Sequence, residues 1–290
     1  MGEPLPICYL NGEYLPLREA RISPLDRGFL YADGAYEVTP VYGGRPFRFE
    51  QHHARLTRSL NAIRMTDPLT PDHWRSVYRE LIGRNGGGDQ YIYLQVTRGA
   101  EYGRNHAPLP DVPRTVFAFA APWPALSASV LANGVACITA EDTRWARCDI
   151  KSVSLLANVL LRQLAVDADA GETVLLREGE LTDASASSVH VVLNGELRTP
   201  PNSQRLLPGT TRGVMEEIAA AAGVAHRSER ITERELRAAD EILLGAATRE
   251  VQPVTRLDGR AVGRGKPGPV WRRLYDAYQA YKSAVANTPW

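Results

Sequence analysis

Four times along the chain a β-prone run doubles back at a glycine. ICYLNGEYLPL turns at Asn11-Gly12, YEVTPVYGGRPFRF at Gly43-Gly44, ETVLLREGELTD at Gly179 and SSVHVVLNGELRTP at Gly195. Asn-Gly between apolar stretches is the strongest short-range hairpin signal, because the central residues of the tight turn need positive φ. Hairpins build antiparallel sheet, and here helical stretches interrupt them. EQHHARLTRSLNAIRM sets Leu56, Leu60 and Ile63 on one face, and a second helix runs from Asp72 to Arg84 and stops before NGGG. SLLANVLLRQLAVDADAG sets Leu156, Leu160 and Leu164 in line, which predicts a core helix. TTRGVMEEIAAAAG begins a helix near Thr210 and closes it at Gly223, TERELRAAD spaces Thr232 and Glu235 as a capping box, and PVWRRLYDAYQAY makes a terminal helix. Strands and helices mix in both halves without the regular alternation of a doubly wound parallel sheet, so the fold class is α+β. Pro122 and Pro124 in APWPALSA mark a linker at 122–127, between an α+β domain over 1–121 and a second over 128–290.

Composition removes several function classes. At 290 residues the chain can bury an ample core without staples, and 44% hydrophobic with 23% charged residues argues against disorder. A net charge of +1 gives no broad footprint for nucleic acid. Three cysteines, Cys8, Cys137 and Cys148, are too few and odd in number for a disulfide framework, and they fit a reducing compartment. MGEPLPICYLNGEYLP has no signal-peptide pattern, and no window approaches the ~18 apolar residues of a membrane span. The expectation is a cytoplasmic protein that binds neither membrane nor nucleic acid.

Two motifs mislead. GRGKPG at Gly263–Gly268 matches G-x-G-x-x-G, but too little chain follows for a βαβ unit, and Lys266 precedes Pro267 rather than the Ser or Thr of a P-loop. His52, His53 and His106 lack metal-ligand spacing, so no metal is expected, and no G-x-S-x-G elbow is present.

Five stretches carry chemistry. RWARCDIKSVSLLANVLL places Lys151 just ahead of an apolar helix; it is either paired with Asp149 or a nearby carboxylate, or chemically used. A partly desolvated lysine favours its neutral form, and only that form attacks a carbonyl. ELTDASASSVHVV puts Asp183 at a strand end before small hydroxyl residues, as a polar turn or as a carboxylate facing a ring nitrogen. LLPGTTRG runs a Pro-Gly turn into a helix start, as simple initiation or as a phosphate cradle of free N–H groups at the positive end of a helix dipole. HHARL carries Arg55 on a helix, at the surface or in bidentate contact with phosphate. TRGAEYGRNHAP carries Arg104 and His106, as a solvated loop or as a carboxylate trap.

In order and spacing, from DRGFLYADGAYEV to TREVQPV, these stretches resemble the fold-type IV pyridoxal-phosphate enzymes. That group includes D-amino acid aminotransferases, branched-chain aminotransferases and aminodeoxychorismate lyases, and the Arg-x-His pair is most similar to the D-amino acid branch. The resemblance implies a homodimer of two-domain α+β chains with pyridoxal 5'-phosphate between the domains. It makes Lys151 the Schiff-base and catalytic lysine, carried with most of the cofactor site on the C-terminal domain. It implies cofactor binding by Arg55, Asp183, Ser187, Leu207, Thr210, Thr211, Ala247 and Thr248, and substrate binding by Tyr36, Val38, Arg104 and His106. Asp183 stands where the family usually carries Glu, one methylene longer. Ala186 stands where a Ser is common in the D-amino acid branch, and Ala247 stands where the family has a Thr near the phosphate. The implied activity is ping-pong transamination of D-amino acids such as D-alanine and D-glutamate with 2-oxo acids. Competing readings are a branched-chain L-amino acid aminotransferase or a lyase of the same fold, and a cofactor-binding protein without turnover.

Overall fold

Gly12 adopts φ 102° after Asn11 at φ 50°, and the turn joins β1 (Ile7–Leu10) to β2 (Glu13–Pro16) as the sequence predicts. The structure is a computed structural model that describes residues 2–288 and residue 290. The chain divides into two units. The first takes in the chain up to Pro124, Ile150–Leu155 and the stretch from Ala284 onward; the second comprises Ala125–Asp149 and Leu156–Ser283.

In the first unit, α1 (Arg27–Tyr31) precedes the long strand β3 (Gly34–Tyr42) and the short β4 (Arg45–Pro46). Two helices, α2 (Phe49–Ala62) and α3 (Pro71–Arg84), are followed by β5 (Gln90–Thr97) and β6 (Thr115–Pro122). The strands form one six-stranded sheet in the order β2-β1-β6-β5-β3-β4. Leu56 and Leu60 of α2 and Trp74 and Leu81 of α3 are buried with Ile92 of β5 in one core. Alternation along β3 therefore decides what each residue does: Glu37 and Thr39 are buried, while Tyr36 and Val38 point to the half-exposed opposite face.

The second unit opens with α4 (Ala128–Asn133) and β7 (Val135–Glu141), then α5 (Leu156–Asp167). Two hairpins follow, β8 (Glu172–Arg177) with β9 (Glu180–Ala184), and β10 (Ser188–Leu193) with β11 (Glu196–Thr199). The rest is α6 (Thr210–Ala221), β12 (His226–Ser228), α7 (Glu233–Arg237), β13 (Glu241–Ala246), β14 (Glu250–Leu257), β15 (Arg260–Ala261) and α8 (Pro269–Ala286). Its nine-stranded sheet runs β12-β11-β10-β13-β14-β7-β8-β9, with β15 on the edge of β14. The capping box at Thr232 and Glu235 forms with both reciprocal bonds. GRGKPG leads into α8, but Glu241 already receives the N–H groups of Val270 at 2.9 Å and Trp271 at 2.8 Å, so this helix start is filled by a carboxylate of the chain itself.

Two expectations change. The stripe on α5 is not core: Leu156 is 72% exposed, Leu160 61% and Leu164 45%, and Leu161 and Ala165 are the buried residues instead. Helical periodicity tells which residues share a face, not what covers that face. Lys151, expected on the C-terminal domain, groups with the first unit. Ser152 bridges to Ala35, the N–H of Tyr36 donates to the Lys151 carbonyl at 3.0 Å, and the N–H of Val153 donates to the Gly34 carbonyl at 3.1 Å. Main-chain pairing with the edge of β3 binds this short segment to the N-terminal sheet.

Candidate active site

The first unit assembles the lysine end. The Lys151 N–H donates to the Ser59 hydroxyl at 3.1 Å, so α2 holds one side of the segment while β3 holds the other. The side-chain Nζ lies 4.0 Å from the centre of the Tyr36 ring. No carboxylate pairs with it among the described residues. Asp149, the nearest acid in sequence, closes a two-bond fork with Arg147 at 2.9 Å for each bond.

Behind Tyr36, on the buried face of β3, lies a cluster the sequence reading missed. Glu37 receives Arg55 Nε at 2.7 Å on Oε1 and Arg55 Nη2 at 2.8 Å on Oε2, and the Nδ1 of His52 lies 2.8 Å from Oε2. Glu37 is 1%, His52 2% and Arg55 5% exposed, so three titratable groups share a dry site. Burial alone would push the Glu37 carboxyl up, but the Arg55 guanidinium and then His52 overcome it and hold the group well below the usual range. Burial pushes His52 down, against the pull of Glu37. The expected phosphate ligand Arg55 is thus oriented by Glu37. The signal was present in sequence: Glu37 is a lone acid in the β-patterned run YEVTPVY, out of phase with Tyr36 and Val38.

Arg104 and His106 lie in the loop between β5 and β6, packed near Tyr31 of α1 in the same unit. The Arg104 guanidinium lies 5.2 Å from the Tyr31 ring centre and the His106 ring 5.5 Å from it. Arg27, also unnoticed in sequence, holds the loop backbone: its Nη1 donates to the Asn105 carbonyl at 2.7 Å and its Nη2 to that of His106 at 3.0 Å, and Glu101 lies 2.5 Å from Nη1. The loop presents its two basic side chains on a fixed backbone.

The second unit assembles a carboxylate and a helix start. Asp183, near the end of β9, is 5% exposed. Its Oδ2 accepts from Arg144 Nη1 at 3.2 Å and from the Leu207 N–H at 3.4 Å. Burial pushes the Asp183 carboxyl up to about 6, against the pull of Arg144. After Leu207 the chain enters α6 through Gly209, which provides no side-chain cap, so the first-turn N–H groups at Thr210 and Thr211 have none. A Cβ on Gly209 would lie 2.8 Å from the Ser188 hydroxyl, which leaves glycine as the residue that fits. Ala247 and Thr248 form the turn from β13 to β14. Ser187 is committed elsewhere: its hydroxyl donates to Glu172 at 3.1 Å, and Ser185 also bonds that carboxylate.

Each unit, taken by itself, carries groups of a kind that suits one part of pyridoxal phosphate. An unpaired amine suits an aldehyde, a buried carboxylate suits a protonated ring nitrogen, and an uncapped helix start with a glycine at its mouth suits a phosphate.

Known proteins give the same direction. Residues 34–257 match the class IV amino-transferase family. A D-alanine aminotransferase of Staphylococcus haemolyticus is 37% identical over 274 residues, covering 94% of this chain and 96% of that protein. A D-alanine aminotransferase of Bacillus licheniformis is 35% identical and covers 93% and 94%. Among solved structures, a T.th. branched-chain amino acid aminotransferase with pyridoxamine 5'-phosphate superposes with a TM-score of 0.89 at 29% identity, covering 97% of this chain and 95% of that one.

Proposed function

Because the chain belongs to the class IV aminotransferase family, we propose that it transfers the amino group of D-amino acids, D-alanine and D-glutamate among them, to 2-oxo acids. Pyridoxal phosphate is the cofactor, and when bound it supplies the electron sink that makes the substrate Cα–H acidic. The observation that carries the reading is the Lys151 amine, fixed by its backbone to β3 and α2 and without a carboxylate partner among the described residues.

Each residue then has a task. Lys151 would carry the substrate Cα proton to the cofactor's C4′ carbon in the first half-reaction and back in the second, since one amine can serve both as nucleophile and as general base. Arg55, the N–H groups at Thr210 and Thr211, and the Ala247–Thr248 turn hold phosphate. Asp183 keeps the ring nitrogen protonated, Leu207 packs on the ring, and Ser187 braces the site through Glu172. The Tyr36 hydroxyl orients the substrate carboxylate and Val38 borders the side-chain space. Arg104 and His106 complete the carboxylate trap for a second copy of the chain, which makes the unit a homodimer.

The test is purified protein with D-alanine and 2-oxoglutarate, followed by pyruvate formation, with L-alanine and L-leucine as parallel donors. No pyruvate from D-alanine would sink the proposal. L-leucine as the better donor would favour the branched-chain reading, to which the structural likeness at TM-score 0.89 lends weight. Replacing Arg104 by alanine is expected to raise KM for the amino acid about tenfold with kcat nearly unchanged, the scale of one charge-assisted hydrogen bond. An unchanged KM would place Arg104 outside the trap.

A further inference from the structure

Asp183 does not stand alone in its site. Arg144 lies between it and a second acid, Asp142, which follows directly on β7. Arg144 Nε donates to Asp142 Oδ1 at 2.9 Å and Nη2 to Asp142 Oδ2 at 3.0 Å, a two-bond fork, while Nη1 reaches Asp183 at 3.2 Å. Nη2 also donates to the Arg205 carbonyl at 3.2 Å. Asp142 is fixed in turn by the Thr182 hydroxyl at 2.8 Å and by Arg177 at 3.2 Å. The Arg144 and Asp142 side chains are 6% and 0% exposed. A planar guanidinium forked on one carboxylate cannot swing, so the atom it extends to the second carboxylate is fixed in direction.

This matters because Asp183 is the short form of the residue. Its carboxylate stays close to its own backbone, in a buried place where the charged form is disfavoured. Protonated, it would stop favouring a proton on a ring nitrogen. We propose that Arg144 is the positioning residue for Asp183: clamped by Asp142, it holds the Asp183 carboxylate charged and aimed, and so gives a shortened acid the strength to hold a protonated pyridine nitrogen. The inference rests on the cofactor assignment above. Arg144 itself touches no part of the cofactor in this role; it acts through Asp183. The upward push of burial on Asp183, opposed chiefly by Arg144, agrees with the geometry.

The experiment compares two ligands on the apoprotein: pyridoxal phosphate and its deaza analogue, in which a carbon replaces the ring nitrogen. Dissociation constants come from equilibrium dialysis near neutral pH, with visible absorption of bound pyridoxal phosphate as a second readout. The wild-type chain is expected to prefer pyridoxal phosphate. Arg144→Gln should cut that preference about tenfold, the scale of a hydrogen bond to a charged group, by weakening pyridoxal phosphate and leaving the analogue nearly unchanged. Arg144→Lys keeps the charge but cannot fork on Asp142 while reaching Asp183, so it should lose about threefold or more of the preference, and it carries the test if the glutamine variant fails to fold. A purely structural role would weaken both ligands together and leave their ratio intact. An unchanged ratio in a folded variant overturns the proposal. Failure of the wild-type chain to bind pyridoxal phosphate at all overturns the cofactor assignment, and this inference with it.

Discussion

Alanine at position 151 is expected to lower transamination of D-alanine by about a thousandfold or more, since it removes the group that would both react with the cofactor and move the Cα proton. The loss should fall on kcat. The fold should survive, because the segment is attached through main-chain atoms: the Lys151 carbonyl accepts from Tyr36, the Lys151 N–H donates to Ser59, and Val153 donates to Gly34. Only the side chain changes, and no ion pair of Lys151 is broken among the described residues. Stability in urea is therefore expected to stay within about 0.5 kcal/mol of wild type. Pyruvate-coupled initial rates and a denaturation curve on the same preparation separate the two effects. Near-normal turnover in the alanine variant would remove Lys151 from the mechanism, and collapse of the fold would mean that its side chain is structural.

Glu37→Gln should produce the largest loss of stability. Glu37 receives both Arg55 bonds and the His52 contact at a buried site, so its neutral replacement removes the carboxylate charge that faces the Arg55 guanidinium. Breaking a buried pair in this way costs about 3–5 kcal/mol. The pH dependence checks the cause. The Glu37 carboxyl is held below its ordinary 4.5, so its contribution is present above that value and is lost as the pH falls. His52 is held below its ordinary 6.5 by burial, so protonation of the unfolded chain also costs stability as the pH falls from there. Both act in one direction, and the wild type weakens on acidification. Urea midpoints measured from pH 7 down to pH 4 should fall less steeply in the glutamine variant in the lowest part of that range. Equal slopes would show that the acid sensitivity arises elsewhere.

How much of this was readable in advance depends on whether the information is local. The Asn11-Gly12 hairpin, the Thr232–Glu235 capping box and the helix start at Thr210 came directly from sequence, because turn and cap chemistry acts over a few residues. Lys151, Asp183 and the PGTTRG turn stand out as candidates through their order along the chain. The partners were not. Arg144 lies inside the quoted lysine stretch, yet its bond to Asp183 joins residues separated by a helix and a strand. The pairing of Arg55 with Glu37 depends on α2 packing over β3, which neither segment specifies by itself. The face of α5 went wrong for a related reason: spacing found the stripe but gave no knowledge of its surroundings.

The bridge from Ser152 to Ala35 has a consequence for synthesis and for dissection of the protein. Strand β3 leaves the ribosome early, but the piece of chain that completes its edge is made only after β7 and must return over a long loop. A fragment ending at Pro124 would contain every strand of the N-terminal sheet and still lack Lys151 and the main-chain bonds that seat it. On the role proposed for Lys151, competence for chemistry would be acquired later in folding than the sheet that supports it, and a cut after Pro124 would part the lysine from that sheet.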